Sequence, residues 1–137
     1  MRKVWKRTAG HSLMGALGGL SYGALEVFCR GYTHISMVLT GGICFLTLWQ
    51  LSKSRRNIVW LSILGGAVIS VAELVAGCIV NLWMHLNIWD YSQEELHFCG
   101  QICPRFFLLW CLLSFGVIGV CRYGRRFWSN YCYTNSH

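Results

Sequence analysis

The chain has 137 residues, of which 55 % are hydrophobic and 12 % are charged, whereas soluble domains carry about 25 % charged residues. This composition excludes an ordinary soluble protein, and the length limits the chain to one domain. The formal net charge is +7, but the basic residues lie at the edges of apolar runs, which fits membrane topology and anionic lipid better than nucleic acid.

Four apolar runs follow one another along the chain, each close to the roughly 20 residues that cross a hydrocarbon core about 30 Å thick. Backbone in such a core must satisfy its own hydrogen bonds, so the runs should be helices. They cover residues 12–28, 35–51, 58–84 and 106–121, with an outer loop over 85–105. We predict an all-α integral membrane protein with four transmembrane helices in a single membrane domain, 1–137. The first run follows a basic segment but lacks a signal cleavage site, so we expect it to be retained.

The distribution of Lys and Arg predicts the orientation. Ten of the twelve basic residues fall in the N-terminal segment, the loop after the second run and the C-terminal tail. Only Arg30 and Arg105 fall in the other two loops, and Asp90, Glu94 and Glu95 accompany Arg105. The positive-inside rule then places both termini in the cytoplasm, and an even number of spans agrees because it puts both termini on the same side.

An internal similarity relates the first and third runs. Gly18 and Gly19 precede Glu26, and Gly65 and Gly66 precede Glu73, with the same spacing. A duplicated two-helix hairpin, with its axis along the membrane normal, would produce this pattern, and so would chance in a Gly-rich apolar chain. We keep both interpretations open.

Ionisable residues inside the apolar runs are the candidate site. Glu73 lies within the third run, where an ionised carboxylate costs roughly 2.5 kcal/mol or more, so it should face the bundle interior or be protonated. Glu26 lies near the outer end of the first run, one helical turn before Arg30, with which it can pair. These residues and His34 predict either a polar substrate site open to the outside or an interhelical hydrogen-bond network.

The outer loop holds the other candidates. Trp89 and Tyr91 are typical of the membrane interface, and Asp90 with Ser92 favours a local turn. We expect part of this loop to lie along the membrane surface or to dip into the bundle as a lid, with Pro104 in the first turn of the last helix. The candidate substrate-binding residues are Glu26, Arg30, His34, Glu73, Asn81, Trp89, Asp90, Tyr91, Ser92 and Gln101.

The sequence lacks the motifs of several common enzyme classes. The sequence has no Gly-rich phosphate loop, no HExxH and no serine nucleophile elbow, and its five histidines lack metal-ligand spacing. It therefore predicts no catalytic residue, cofactor or metal site. Cys29, Cys99 and Cys103 lie near the predicted outer face, and the sequence does not decide whether two of them form a disulfide.

Three segments resemble the ABC-transporter type IV family of membrane proteins. They are EVFCRGYTHISM at 26–37, Glu73 with Asn81 and NIWDYS at 87–92, and GQICP at 100–104 leading to Trp110. The resemblance covers about residues 23–114. It implies residence in a bacterial inner membrane and a permease-like role with no known substrate. The chain departs from the family pattern at Arg105 and Phe106, which follow Pro104.

Three functions follow from these patterns. The first is a permease-like component of a transport system, which four helices could form only as a homo-oligomer or with a partner membrane subunit and a separate ATPase. The second is a non-transport scaffold or regulator of a partner protein. The third is a membrane enzyme for lipid-linked substrates, with Glu73 or Asp90 as base and Arg30 binding phosphate. No interaction with nucleic acid is expected.

Overall fold

The computed structural model describes the backbone of residues 2–134, and the side chains of residues 10–28 and 31–127. Within that range the elements are helices: α1 (Arg2–Arg30), α2 (Ile35–Leu51), α3 (Ile58–Gly77) and α4 (Pro104–Thr134). A π-helical segment, Cys78–Trp83, continues α3 without a break. An isolated antiparallel bridge joins Phe98 and Ile102 in the outer loop. The prediction of an all-helical fold with four helices is confirmed.

Two stretches of the described chain are long and apolar enough to cross a membrane. They are Ile58–Trp83, with a mean hydropathy of 2.2, and Pro104–Phe127, with a mean hydropathy of 1.8. Helix α2 is also apolar, but its 17 residues measure only about 25 Å. The structure thus supports a membrane protein with two helices of spanning length, which is a coarser result than the four spans that the sequence predicts.

The helix ends follow from local sequence. The side chain of His34 accepts a hydrogen bond from Ser36 N at the start of α2, and Asn57 caps α3 by accepting from Val59 N. Gly31 ends α1 with a φ of +81°, the left-handed conformation in which glycine commonly terminates helices. Pro104 opens α4, where its missing N–H is not needed. Helices α1 and α4 both extend past the predicted apolar runs into polar sequence.

The helices pack as two hairpins. Helix α1 lies mainly against α2, α3 lies mainly against α4, and α2 makes smaller contacts with α3 and α4. The two Gly pairs lie at these hairpin interfaces: a Cβ on Gly19 would lie 2.5 Å from the carbonyl oxygen of Val38, and one on Gly66 would overlap Cys111. Small residues let membrane helices approach closely, so the similar segments of α1 and α3 perform similar packing roles.

The core has two parts. The first lies between α2, α3 and α4 and contains Leu48, Leu61, Ile69, Trp110 and Ile118. The second, which includes Met37 and Val80, encloses Ile88, Trp89 and Tyr91 of the outer loop. The outer loop is therefore partly a core element, in agreement with the expectation that it dips into the bundle.

At the other end of the bundle, α4 is fastened to the loop between α2 and α3. Arg122 Nη2 donates to the carbonyl oxygens of Ser54 and Arg56, at 2.8 Å each. Arg125 donates to the side chain and the carbonyl oxygen of Ser52, which is buried. These charged hydrogen bonds satisfy carbonyls of the α2 C-cap residue, Ser52, and of the loop that follows it.

Candidate functional site

Asn81 joins the π-helical segment to the outer loop. Its Nδ2 donates to Trp89 O and to Gln101 Oε1, each at 2.8 Å, and its Oδ1 accepts from Ile88 N at 2.7 Å. The side chain is buried, so these bonds replace water that the site excludes. Single π-turns within α-helices are common at functional sites, and here the segment presents Asn81 to the loop.

Gln101 completes this network from the far side of the loop. It is 3 % exposed, and its Nε2 donates to Cys99 O at 3.2 Å. Trp89 Nε1 donates to Gln101 O at 3.4 Å. A Cβ on Gly77 would overlap Gln101 Oε1, so glycine at that position lets the amide reach α3.

Tyr91 is held by both its backbone and its ring. Its N–H donates to Gly100 O at 2.8 Å, which closes the outer loop on itself. The ring stacks on Phe106 of α4, with centroids 4.4 Å apart and an interplanar angle of 18°. Offset stacking of this kind adds about 0.5–1.5 kcal/mol beyond area burial. Trp89 and Tyr91 are both buried, at 5 % and 6 % exposure.

Asp90 and Ser92 form the predicted turn at the surface of the loop. Asp90 Oδ1 accepts from Ser92 N and Oδ2 accepts from Ser92 Oγ, both at 2.8 Å. These two hydrogen bonds, the backbone bond first, lower the pKa of the Asp90 carboxyl below its ordinary value because they favour the ionised form. Gly100, with a φ of +66°, lies beside this carboxylate, and a Cβ there would be 2.9 Å from Asp90 Oδ1.

Glu73 lies on α3 in the bundle interior, where the sequence places it. It is 3 % exposed, and its Oε2 accepts a hydrogen bond of 2.7 Å from Trp110 Nε1. The indole of Trp110 also lies near Tyr22 and Phe106, with centroid separations of 6.1 and 6.3 Å. Glu73 therefore joins α3 to α4 and, through Trp110, to an aromatic row that ends at Tyr91.

Glu26 lies near the end of α1 and is 8 % exposed. Its Oε2 accepts a 2.7 Å hydrogen bond from Thr33 Oγ1, across the turn into α2. His34 faces its own helix, with Nδ1 2.8 Å from Ser36 Oγ. The side chain of Arg30 lies outside the described residues, and so does the predicted Glu26–Arg30 pair. Of the polar residues expected at this end, the structure describes the side chains of Glu26 and His34.

Two neighbouring cavities lie in the bundle: the Glu73 cavity is lined by all four helices, and the Glu26 cavity by α1, α4 and the outer loop. The Glu73 cavity has a volume of about 120 Å³, and the Glu26 cavity, which also reaches Tyr91 and Phe106, has a volume of about 350 Å³. Both are lined mainly by apolar and aromatic groups. The residues common to their walls are Tyr22, Leu25, Trp110 and Leu113.

The ten predicted site residues thus occupy distinct places. Glu73, Glu26 and Tyr91 line the two cavities. Asn81, Trp89 and Gln101 hold the outer loop on the π-helical segment. Asp90 and Ser92 form the surface turn, His34 caps α2, and Arg30 belongs to α1 by its backbone.

Sequence reasoning did not single out the aromatic walls, Tyr22, Phe106 and Trp110. Trp110 carried a usable signal, because an indole N–H within an apolar run needs an acceptor and buried Glu73 is one. Tyr22 and Phe106 carried no such signal. Cys99 and Cys103 are both free thiols in the structure, and the side chain of Cys29 lies outside the described residues.

The described residues form an all-helical fold with two helices long and apolar enough to cross a membrane, and acidic and aromatic groups line cavities between the helices. The model of one family, described as "Putative ABC-transporter type IV", matches residues 21–133. The chain belongs to this family, as its sequence segments indicate. No curated protein and no solved structure matches the chain.

Proposed function

We propose that the chain is a small permease-like membrane component of a transport system in a bacterial inner membrane. In this proposal all four helices span the bilayer in one membrane domain, with both termini in the cytoplasm. The basic residues support this topology, and so does the contact of Arg122 and Arg125 with the α2–α3 loop, since it joins two segments that the positive-inside rule assigns to the same side.

The observation that carries the proposal is the enclosed carboxylate of Glu73 beside a cavity. Ionisable groups inside membrane segments are costly and commonly mark substrate or ion pathways. Glu73, Glu26 and Tyr91 line the cavities and are the proposed substrate contacts. Arg30 is the last residue of α1 and His34 is the N-cap of α2, so both belong to the turn that joins these two helices. Asn81, Trp89, Asp90, Ser92 and Gln101 would act by holding the loop above the cavities.

The open side of the bundle supports assembly. Helix α1 packs mainly on α2, so the Glu26 cavity, between α1 and α4, is not closed by direct packing of these two helices. Large apolar side chains are exposed beside this opening, including Leu25 and Leu109. A second copy or a partner membrane subunit would complete the enclosure. A separate ATPase would supply energy, because the sequence contains no phosphate-binding loop of its own.

A scaffold or regulator is the second candidate, and one observation favours it. The buried side-chain amides of Asn81 and Gln101 form their hydrogen bonds within the chain, which is typical of groups that hold a loop on a helix. Under this alternative Glu73 also serves only to hold α3 against α4. Glu73→Gln then leaves the phenotype intact, because glutamine can still accept a hydrogen bond from Trp110.

The native complex tests the proposal. The full chain is purified in mild detergent from its own membranes, and the co-purifying proteins are identified by mass spectrometry with their stoichiometry. A stoichiometric ATPase or solute-binding protein is the expected result. A partner from outside transport favours the scaffold, and a strictly monomeric chain that gives no flux in reconstituted vesicles contradicts the transport role.

A further inference from the structure

Three segments that are far apart in the sequence meet at one end of the bundle. The N-terminal part of α1 lies against the end of α2, where His11 Nε2 is 3.0 Å from Gln50 Nε2 and the His11 ring is 5.0 Å from that of Trp49. The end of α4 is fastened to the α2–α3 loop through Arg122 and Arg125. We call this region the basic end, and it contains residues 2–11, 49–57 and 122–126.

The basic end carries positive charge without acidic side chains. Ten of the twelve Lys and Arg residues belong to it, and none of its segments contains Asp or Glu. The acidic residues of the chain are Glu26, Glu73, Asp90, Glu94 and Glu95. Glu73 lies about 22 Å along the helix axis from Ile58, where α3 begins, which is too far for an ion pair with the α2–α3 loop. The loop therefore keeps its full positive charge.

The hydrogen bonds of the basic end do not neutralise it either. Arg122 and Arg125 donate to carbonyl and hydroxyl oxygens, which are uncharged. Lys53 Nζ donates to the side-chain oxygen of Gln50 at 2.8 Å and lies 3.6 Å from the centroid of the Trp49 ring. These contacts orient the cations and leave their charge in place. The other described cations of this end are exposed to the surroundings: Arg55, Arg56 and Arg126.

Exposed aromatic rings indicate the depth of the basic end in the membrane. Trp60 is 57 % exposed in the first turn of α3, and Tyr123 is 73 % exposed beside Arg122 on α4. Trp and Tyr rings concentrate at the level of the lipid headgroups. Helices α3 and α4 contain the two stretches of spanning length, so their shared end lies at a membrane face. The cations of the basic end are thus within reach of lipid phosphates.

We propose that the basic end binds anionic phospholipid, with guanidinium and ammonium groups on the phosphodiester oxygens and with Trp60 and Tyr123 against the glycerol region. Arginine suits this ligand because its planar group donates paired hydrogen bonds to phosphate oxygens. Clusters of roughly four to eight Lys and Arg beside a membrane helix are typical of anionic-lipid binding. An acidic partner protein would also meet the charge, but exposed rings at headgroup depth favour lipid. The inference goes beyond the transport role and rests only on residence in a membrane.

Spin-labelled phospholipids test the proposal. The full chain is reconstituted in phosphatidylcholine vesicles, and electron paramagnetic resonance measures the protein-contacting fraction of labelled phosphatidylglycerol and of labelled phosphatidylcholine. We expect the anionic lipid to associate about threefold more strongly or better at low ionic strength. The ratio should approach one in about 1 M salt, where the Debye length is about 3 Å.

Charge variants assign the preference to the basic end. R55Q/R56Q/R126Q removes three exposed charges and should lower the association ratio to about half or less, whereas R55K/R56K/R126K keeps the charges and should retain most of it. Arg105→Gln is the matched control, because Arg105 is 77 % exposed but lies in an acidic region with Glu94. It should leave the ratio unchanged. Thermal midpoints identify any variant that does not fold.

Three results overturn the proposal: equal association of the two lipids with the wild-type chain, an unchanged ratio in folded R55Q/R56Q/R126Q, or an equal loss in Arg105→Gln. Equal association would assign the basic end to an acidic partner protein. None of these measurements needs an ATPase. A native complex that contains an ATPase, together with equal lipid association, would therefore leave the transport role standing and remove only the lipid site. A lipid preference without transport partners would do the reverse.

Discussion

The indole N–H of Trp110 donates a 2.7 Å hydrogen bond to Glu73 Oε2, so one buried bond joins α4 to the charged residue of α3. The two residues are 37 positions apart, and Trp110 is also a member of the main core. The bond therefore contributes both to helix packing and to the wall of the cavity. A variant that removes the bond but keeps Glu73 measures the contribution of the bond to stability, apart from the role of Glu73 in function.

Trp110→Phe should lower the free energy of unfolding by about 1–3 kcal/mol, because a buried carboxylate loses its indole donor. The measurement is thermal unfolding in detergent, followed by circular dichroism. Trp60→Phe is the matched control: Trp60 is 57 % exposed on α3, so its replacement should leave the free energy of unfolding unchanged. Equal midpoints for the two variants would show that the Glu73–Trp110 bond contributes nothing to stability.

Asn81→Asp should loosen the outer loop. The carboxylate can still accept from Ile88 N, but it no longer donates to Trp89 O and Gln101 Oε1, which costs about 2–3 kcal/mol. Hydrogen exchange of the amides in residues 86–103 should rise. Asn57→Asp makes the same chemical change at a helix N-cap, where aspartate serves equally well, and should leave exchange unaltered. Unchanged loop exchange in the Asn81 variant would contradict the network.

Gly77→Ala should destabilise the chain by about 1–3 kcal/mol, because its Cβ overlaps Gln101 and pushes the amide away from Asn81. Gly116→Ala is the control: nothing lies within 4 Å of a Cβ there, and alanine favours the helix. Unfolding midpoints of the two variants should move in opposite directions, or only that of Gly77→Ala should fall. A tolerated Gly77→Ala would mean that Gln101 is not held against α3.

Arg122→Gln should destabilise the bundle by about 1–3 kcal/mol through the loss of its bonds to the α2–α3 loop carbonyls. Arg126→Gln removes the same charge from the same helix at an exposed position, so it controls for any effect on topology. Thermal midpoints of the purified variants provide the comparison. If both variants lose the same stability, the effect is one of charge and not of the loop contact.

The Asp90–Ser92 turn should weaken in acid. The pKa of Asp90 is lowered in the folded chain, so its stabilisation is present above the pKa of the unfolded chain, about 3.9, and is lost as the pH falls through the lower folded value. Ser92→Ala removes the hydroxyl bond and part of this dependence. The midpoint measured from pH 7 downward should fall less steeply in Ser92→Ala than in the wild type. Parallel curves would exclude a contribution from the turn.

The positions of the helices could be predicted because apolar runs of spanning length permit little else. Helix α2 occupies the residues of its run, but α1 and α4 continue past theirs, since polar residues such as Arg122 extend a helix without any signal in hydropathy. The interior position of Glu73 also followed from the cost of exposing a carboxylate to lipid.

The partners of these residues could not be predicted. The sequence does not indicate a partner for Asn81, because the partner observed, Gln101, lies 20 positions away. The burial of Trp89 and Tyr91 in the core depends on how the loop folds back, which residue type alone does not determine.

The most direct test of the account measures ATP hydrolysis by the natively purified assembly, with the wild-type chain and with Glu73→Gln. Glutamine can keep the hydrogen bond from Trp110 but removes the charge, so assembly should survive while substrate engagement is lost. The account predicts an unchanged subunit stoichiometry and ATPase activity at least about threefold lower in E73Q, with E95Q equal to the wild type. Equal hydrolysis by all three assemblies would contradict it and make Glu73 a packing residue.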